Sequence, residues 1–469
     1  MILKQYYLGC LAHVSYLIAD EATRIAAVVD PQRDVDQYLY DAVRLDLRIQ
    51  HVFLTHLHAD FVAGHIELRD RCGARIHLGA SATAGYEFTP ARDGGRLEFG
   101  GVRLEVLETP GHAPEAICLL LYDLARDPSN PCAVLTGDTL FIGDVGRPSP
   151  RPCAGVAPEQ AARSLFASLH NKLLALPDDT LVYPAHGAGS TCGQNLSTDT
   201  VSTIGMQRRC NHALQPMTED EFVRLVTSSR AESAPLPGGA AFGDQKGPAR
   251  GDAEEHVLRP LALDEVLRMR NAGAQVLDVR EPADFAGAHL VDALNMALAG
   301  KFSLWAQAIL QRDRPILIIS EPGFEEEAAT RLGEAGFELI AGFLEGGMQV
   351  LESRPDIVWW TDRMTALTLA ERLASDDPPL VLDVRPAAEW AEKRIEGSLN
   401  IPLDRLAERV HEFPRDHKIV VFCDTGYCSS VAASLLQQCG LSGVTHLVGG
   451  LDAWETAKLR TAASSPAQT

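Results

Sequence analysis

The chain has 469 residues, more than one ordinary core holds, so about three domains of about 100 to 200 residues each are expected. A hydrophobic fraction of 46% with no uninterrupted apolar run of about 18 residues describes a globular, soluble protein and excludes a transmembrane helix. The formal net charge of −21 repels nucleic-acid phosphates and anionic membranes over much of the surface, which argues against nucleic acid or membrane as partners.

The opening residues Met1-Ile2-Leu3-Lys4-Gln5-Tyr6-Tyr7 lack a charged region followed by an apolar one and a small-residue cleavage site, so a cytoplasmic location is expected. Ten cysteines are scattered without paired C-x-x-C zinc spacing, and most are expected to be reduced.

A short apolar run, His51-Val52-Phe53-Leu54, predicts a buried strand, and Thr55-His56-Leu57-His58-Ala59-Asp60-Phe61 follows it. His56, His58 and Asp60 fall at alternate positions, which in an extended loop turns imidazole and carboxylate to one side, where they can share an ion. The pattern of a strand, a tight turn and a residue of metal-ligand type then recurs three times. Thr109-Pro110-Gly111-His112 puts a histidine in a turn, Thr136-Gly137-Asp138 follows the apolar run Ala133-Val134-Leu135, and Tyr183-Pro184-Ala185-His186-Gly187 closes the series.

With these clusters, and with the stretch DTLFIGDVGRP at 138–148, residues 1–235 resemble the metallo-β-lactamase superfamily, in its glyoxalase II and persulfide dioxygenase branch. The resemblance implies an αββα sandwich with a metal site along one edge of its two sheets. Two-metal hydrolases of that superfamily follow H-x-H-x-D with another histidine; here Phe61 stands there, and a phenyl ring cannot coordinate a metal. The remaining set of His56, His112 and Asp138 matches the single Fe(II) site of persulfide dioxygenases, whose two imidazoles and one carboxylate leave positions open for O2 and a substrate sulfur. His58, Asp60 and His186 are then expected to orient ligands or water, or to hold a weak second metal. The alternative is a glyoxalase II-like thioester hydrolase, for which zinc is also possible.

Three residues are candidates for holding substrate. Arg147 either pairs with a substrate carboxylate or pins its own loop. Tyr183 lies near His186 in sequence, and Cys192 is by resemblance a thiol near the iron or else a packing residue. Ser149 stands where the family usually carries an aspartate, a departure from the family pattern in that loop.

Residues 231–256 turn to Pro, Gly, Ala and charge, and 236–256 reads as a linker. Beyond it the chain repeats itself. Leu277-Asp278-Val279-Arg280 recurs as Leu382-Asp383-Val384-Arg385, each followed in step by an aromatic (Phe285, Trp390), a basic-type residue (His289, Arg394) and an asparagine (Asn295, Asn400). Alternating strands and helices predict a parallel α/β sheet in each copy, over 257–355 and 356–465.

The second copy resembles a rhodanese domain. Its Cys423-Asp424-Thr425-Gly426-Tyr427-Cys428 follows a strand and precedes a helix, where converging amides and the helix N-terminus favour thiolate and a persulfide on Cys423. The first copy has Ser320-Glu321-Pro322-Gly323-Phe324-Glu325 there, without a thiol, and is expected to be an inactive spacer or docking surface. Cys428 occupies a position often held by arginine; it either resolves a persulfide as a disulfide or is inert.

Together these parts resemble bacterial fusions of persulfide dioxygenase and sulfurtransferase. The resemblance implies sulfide detoxification. An Fe(II) site would oxidise a thiol persulfide (of glutathione, coenzyme A or a similar carrier) with O2 to sulfite, Cys423 would make or use thiosulfate, and the chain would form a homo-oligomer.

Overall fold

A computed structural model describes residues 1–9, 11–148, 156–188, 190, 193, 196–228, 258–413 and 417–463. The linker expected over 236–256, Ser149 and Cys192 lie outside the described residues. The chain divides into an N-terminal and a C-terminal compact unit.

The N-terminal unit holds two six-stranded sheets. The first is ordered β1 (Ile2–Leu8), β2 (His13–Ala19), β3 (Ile25–Val29), β4 (Arg48–Phe53), β5 (Arg75–Gly79), β6 (Thr89–Ala91). The second runs from edge to edge as β12 (Ser202–Thr203), β11 (Leu181–Pro184), β10 (Ala133–Gly137), β9 (Ile117–Asp123), β8 (Val102–Glu108), β7 (Arg96–Phe99).

Period-two alternation builds the layers. In β2, Tyr16 and Ile18 enter the core between the sheets, while Leu17 and Ala19 face the opposite side with Tyr38 and Ala42 of the helix Asp36–Arg44. In β9, Leu119 and Leu121 meet Tyr16 and Ile18, while Cys118 and Leu120 pack with Leu165 of the helix Pro158–Asn171 and Phe222 of the helix Glu219–Ser228. Both sheets are thus apolar on both faces and covered on both, the αββα sandwich expected from the sequence. Each fully buried leucine or isoleucine contributes about 1.5–3 kcal/mol relative to exposure.

The topology also gathers the ligand-type residues. Antiparallel pairing of β8 with β9 and of β9 with β10, and parallel pairing of β10 with β11, make β8, β10 and β11 point the same way. Their C-terminal ends carry the loops with His112, Asp138 and His186, and the loop after β4 brings His56 to His112 and Asp138. Gly137 is required between strand and ligand: its φ is +52°, and a Cβ there would lie 2.6 Å from Thr55 Oγ1.

The C-terminal unit contains both repeats, each with a five-stranded parallel sheet of the same order. The first sheet runs Pro260–Leu261, Ile340–Leu344, Ile316–Ile319, Gln275–Asp278, Leu294–Asn295. The second runs Asp362–Met364, Val444–Leu447, Ile419–Phe422, Leu380–Asp383, Leu399–Asn400.

The shared sequence signature has one structural cause. Arg280 donates to both carboxylate oxygens of Asp278 and to Ala288 O, and Asn295 Nδ2 donates to Asp278 O and Arg280 O. In the second repeat, Arg385, Asp383, Lys393 O and Asn400 reproduce every one of these bonds. The D-V-R and Asn positions recur because they tie the end of one strand, Gln275–Asp278 or Leu380–Asp383, to its neighbour. Among the described residues no helix is long and apolar enough to cross a membrane.

Candidate functional site

His56 Nε2, His112 Nε2 and Asp138 Oδ2 converge, with His56 Nε2 3.9 Å and His112 Nε2 3.5 Å from Asp138 Oδ2. Ligand atoms of these three residues all lie within 4.8 Å of one another. Asp138 Oδ2 is buried without a hydrogen-bond donor among the described residues, a costly state for a carboxylate oxygen unless a cation meets it. Two imidazoles and one such oxygen fit a divalent metal ion.

The surrounding bonds fix the rings. Thr55 Oγ1 lies 3.1 Å from His56 Nδ1, and Thr55 in turn donates its amide and hydroxyl to Asp30 at 2.7 and 2.8 Å. His112 Nδ1 donates to Arg147 O at 2.7 Å, which turns its Nε2 toward Asp138. His186 stands between two carboxylates, Nδ1 2.7 Å from Asp138 Oδ1 and Nε2 2.8 Å from Asp60 Oδ2. His58 Nε2 is 3.1 Å from Asp30 Oδ1. His58, Asp60 and His186 therefore border the cluster without belonging to it.

Burial alone would raise the Asp138 carboxyl, but His186, His112 and His56 overcome it and hold it well below the ordinary value. Asp60 is likewise held down against burial, by His186 first. Both are carboxylates at neutral pH, as metal or imidazole partners require. Phe61 is fully buried with Leu54, Leu57 and Ile66, its ring 4.1 Å from that of His13 and 4.4 Å from that of His58.

The substrate candidates separate. Arg147 binds Asp144 through both terminal nitrogens at 2.9 and 3.2 Å and also donates to Val145 O, so in this structure its guanidinium pins its own loop. Tyr183 packs into the core between the sheets, edge-on to Tyr16. Cys192 lies outside the described residues.

In the second repeat, Cys423 directly follows the strand Ile419–Phe422, and the helix Tyr427–Gln438 comes after its loop. Gly426 donates its amide to Cys423 Sγ at 3.2 Å, and Ser429 Oγ lies 3.5 Å from the same sulfur. Hydrogen bonding from the Cys428 thiol does most to lower the Cys423 pKa; with Ser429 and the Gly426 amide it outweighs burial and brings Cys423 down to about 6. Cys428, as donor and by burial, is pushed up. Cys423 is thus the thiolate and Cys428 the thiol at neutral pH. Gly450, at φ +54°, is required beneath the loop, since a Cβ would lie 2.1 Å from Cys423 O.

The first repeat spends the matching amide differently: Gly323 N donates to Glu325 Oε2 at 2.7 Å. A carboxylate thus takes the amide hydrogen bond that the sulfur takes in the other copy.

Several supporting residues were not singled out as site residues from sequence. Asp30, at the end of β3, holds both Thr55 and His58; the only signal was an aspartate closing a buried strand. Glu115 accepts from Leu57 N, and Asp144 anchors Arg147. His13 is wholly buried, neither ring nitrogen hydrogen-bonded among the described residues, and lies against Phe61.

The family model of the metallo-beta-lactamase superfamily matches residues 8–186, and that of the rhodanese-like domain matches residues 262–353 and 365–457. The N-terminal half is 29% identical to the mitochondrial persulfide dioxygenase ETHE1 of Homo sapiens over 230 residues, 48% of this chain and 80% of that protein. It is also 30% identical to a probable hydroxyacylglutathione hydrolase, glo2, of Schizosaccharomyces pombe, over 37% of this chain and 62% of that one. The crystal structure of a metallo-beta-lactamase from Staphylococcus aureus superposes with a TM-score of 0.65 at 28% identity, covering 73% of this chain and 98% of the other.

Proposed function

We propose that this fusion of a metallo-beta-lactamase domain with two rhodanese-like domains is a persulfide dioxygenase coupled to a sulfurtransferase. The observation that carries the first half is the open Asp138 Oδ2 facing His56 and His112 while buried Phe61 stands where a second metal's histidine would be. One ion held by His56, His112 and Asp138 fits this arrangement better than two. Fe(II) bound there supplies the redox chemistry by which a thiol persulfide, O2 and water yield thiol and sulfite.

The chain's own residues do the positioning. Thr55 and the carbonyl of Arg147 aim the two imidazoles, and His186 holds one oxygen of Asp138 so that the other faces them. Phe61 and the apolar residues around it keep the side next to His58 dry.

In the second half, the Cys423 thiolate attacks the outer sulfur of a persulfide, breaking its S–S bond and releasing the thiol. The resulting Cys423 persulfide gives that sulfur to sulfite, forming thiosulfate and returning the thiolate; the reverse direction uses thiosulfate. The low Cys423 pKa, set by Cys428, Ser429 and Gly426, supports both roles, as nucleophile and as leaving group. In the first repeat Ser320 stands at the cysteine's position, and that copy has no sulfur chemistry in this account.

A two-metal thioester hydrolase is the second reading, and the closeness of Asp60 and His186 to Asp138 favours it. Anaerobic reconstitution with Fe(II), followed by O2 uptake on one arm and thioester cleavage on the other, separates the two.

A further inference from the structure

The helix Tyr427–Gln438, which carries the N-terminal turn of the Cys423 loop, is bonded along its length to the thiol-less repeat. Ser430 Oγ donates to Asn295 Oδ1 at 2.6 Å, Asn295 N donates to Ser434 Oγ at 3.0 Å, and Gln438 Nε2 donates to Asp292 O at 2.6 Å. Asn295 is the same fully buried asparagine that ties together its own repeat's strands. Only one residue separates Ser430 from Cys428, and Ser429 touches the Cys423 sulfur. Asn295 is therefore joined to a hydrogen-bond partner of the thiolate through less than one helical turn.

The first repeat also reaches the start of that helix. Tyr427 OH donates to Ala297 O at 3.0 Å, and a Cβ on Gly300 would lie 3.5 Å from the Tyr427 ring. Gly300 turns the chain at φ +72°, and the next residue, Lys301, begins the helix Phe302–Ile309. The Lys301 side chain is exposed and its ammonium forms no ion pair or hydrogen bond among the described residues. Its charge acts on Cys428.

The loop 423–428 has no cation of its own. Its one charged side chain, Asp424, is acidic and is met by Arg385 at 3.2 Å, while Glu389 lies 3.8 Å from the same guanidinium. Glu281 of the first repeat adds a further negative charge toward Tyr427, and Arg331, which opposes it, is paired with Glu327 at 2.6 Å. Among the described groups named here, an anionic substrate nearing Cys423 meets acids and already neutralised arginines, with Lys301 as a cation whose side chain is unpaired among the described residues.

We propose that the thiol-less repeat completes the Cys423 site, and that Lys301 selects small sulfur oxyanions, sulfite and thiosulfate, at its mouth. This rests on the sulfur-transfer reading of Cys423. Lys301 takes no part in bond making: sulfite sulfur attacks the outer sulfur of the Cys423 persulfide, that S–S bond breaks, and Cys423 leaves as thiolate. The lysine lowers the cost of bringing a dianion to a site that already holds a negative sulfur.

The test compares alkylation of Cys423 in the full chain by anionic iodoacetate and by neutral iodoacetamide, quantified on the Cys423 peptide because Cys428 is adjacent. Lys301→Ala is expected to lower the iodoacetate-to-iodoacetamide rate ratio about threefold to fivefold, the scale of one exposed charge interaction. Lys301→Arg is expected to keep the ratio, and KM for sulfite is expected to rise with Lys301→Ala by a similar factor at nearly constant kcat. An unchanged ratio in Lys301→Ala overturns the proposal. Failure of the underlying reading registers separately, as a wild-type protein that makes no thiosulfate from persulfide and sulfite, or a Cys423→Ser variant that still does.

Discussion

His186 Nδ1 stands 2.7 Å from Asp138 Oδ1, and this one contact decides which carboxylate oxygen is left for a metal. With Oδ1 engaged, Oδ2 is the atom turned to His56 and His112. His186→Ala frees the carboxylate to rotate and is expected to weaken metal binding about 10- to 100-fold without unfolding the domain, as loss of such orienting partners generally does. Chelator competition measures it; unaltered affinity would mean that Asp138 is held by something else. Asp138→Asn, by contrast, should remove stoichiometric metal altogether.

A thiol that ionises near pH 6 reacts as thiolate above that pH and is lost as a nucleophile when the pH falls through it. Iodoacetamide modification of Cys423 is therefore expected to titrate with a midpoint of about 6, not at the ordinary thiol value. Because hydrogen bonding from Cys428 is the largest cause of the depression, Cys428→Ala should move the midpoint upward. A midpoint unmoved by that substitution assigns the depression to Gly426 and Ser429 instead.

Asn295 and Asn400 make the same two bonds within their own repeats, but Asn295 also accepts from Ser430 of the other repeat. Asn295→Ala is expected to destabilise the C-terminal unit more than Asn400→Ala, by about 1–3 kcal/mol for the additional buried hydroxyl left unpaired. Urea unfolding of both variants gives the difference. Equal losses would make the contact between repeats energetically idle.

Phe61 is fully buried against His13, His58 and the residues around Leu54. Phe61→Ala should cost about 3–5 kcal/mol through lost burial and the cavity left behind. Thermal unfolding reads this directly, and a loss under about 1 kcal/mol would mean the neighbouring loop collapses into the space.

Much of this architecture was legible in the chain because its signals are local. Asp138 follows an apolar strand directly, and the D-V-R and asparagine positions repeat without gaps since each pair of residues bonds the same backbone atoms. What stayed hidden depends on partners far apart in sequence. Asp30 reaches Thr55 and His58 across a parallel strand pair, and His13 meets His186 through an antiparallel backbone bridge and an edge-on ring contact. Arg147, open to either a substrate or its own loop in the sequence, bonds Asp144 through both terminal nitrogens, a contact the sequence did not announce. Likewise, nothing in Ser320-Glu321-Pro322-Gly323 announces that the thiol-less repeat bonds the helix behind Cys423; that appears only when Asn295 and Ser430 meet.

Oxygen uptake by anaerobically prepared, Fe(II)-loaded protein on addition of glutathione persulfide tests the central claim most directly, with sulfite and thiosulfate measured together in the wild type and in Cys423→Ser. The account expects rapid uptake in both proteins, with thiosulfate formed from persulfide and sulfite by the wild type and sulfite alone accumulating in the variant. No uptake despite one iron bound per chain, alongside cleavage of a glutathione thioester, would contradict it and make the N-terminal domain a hydrolase.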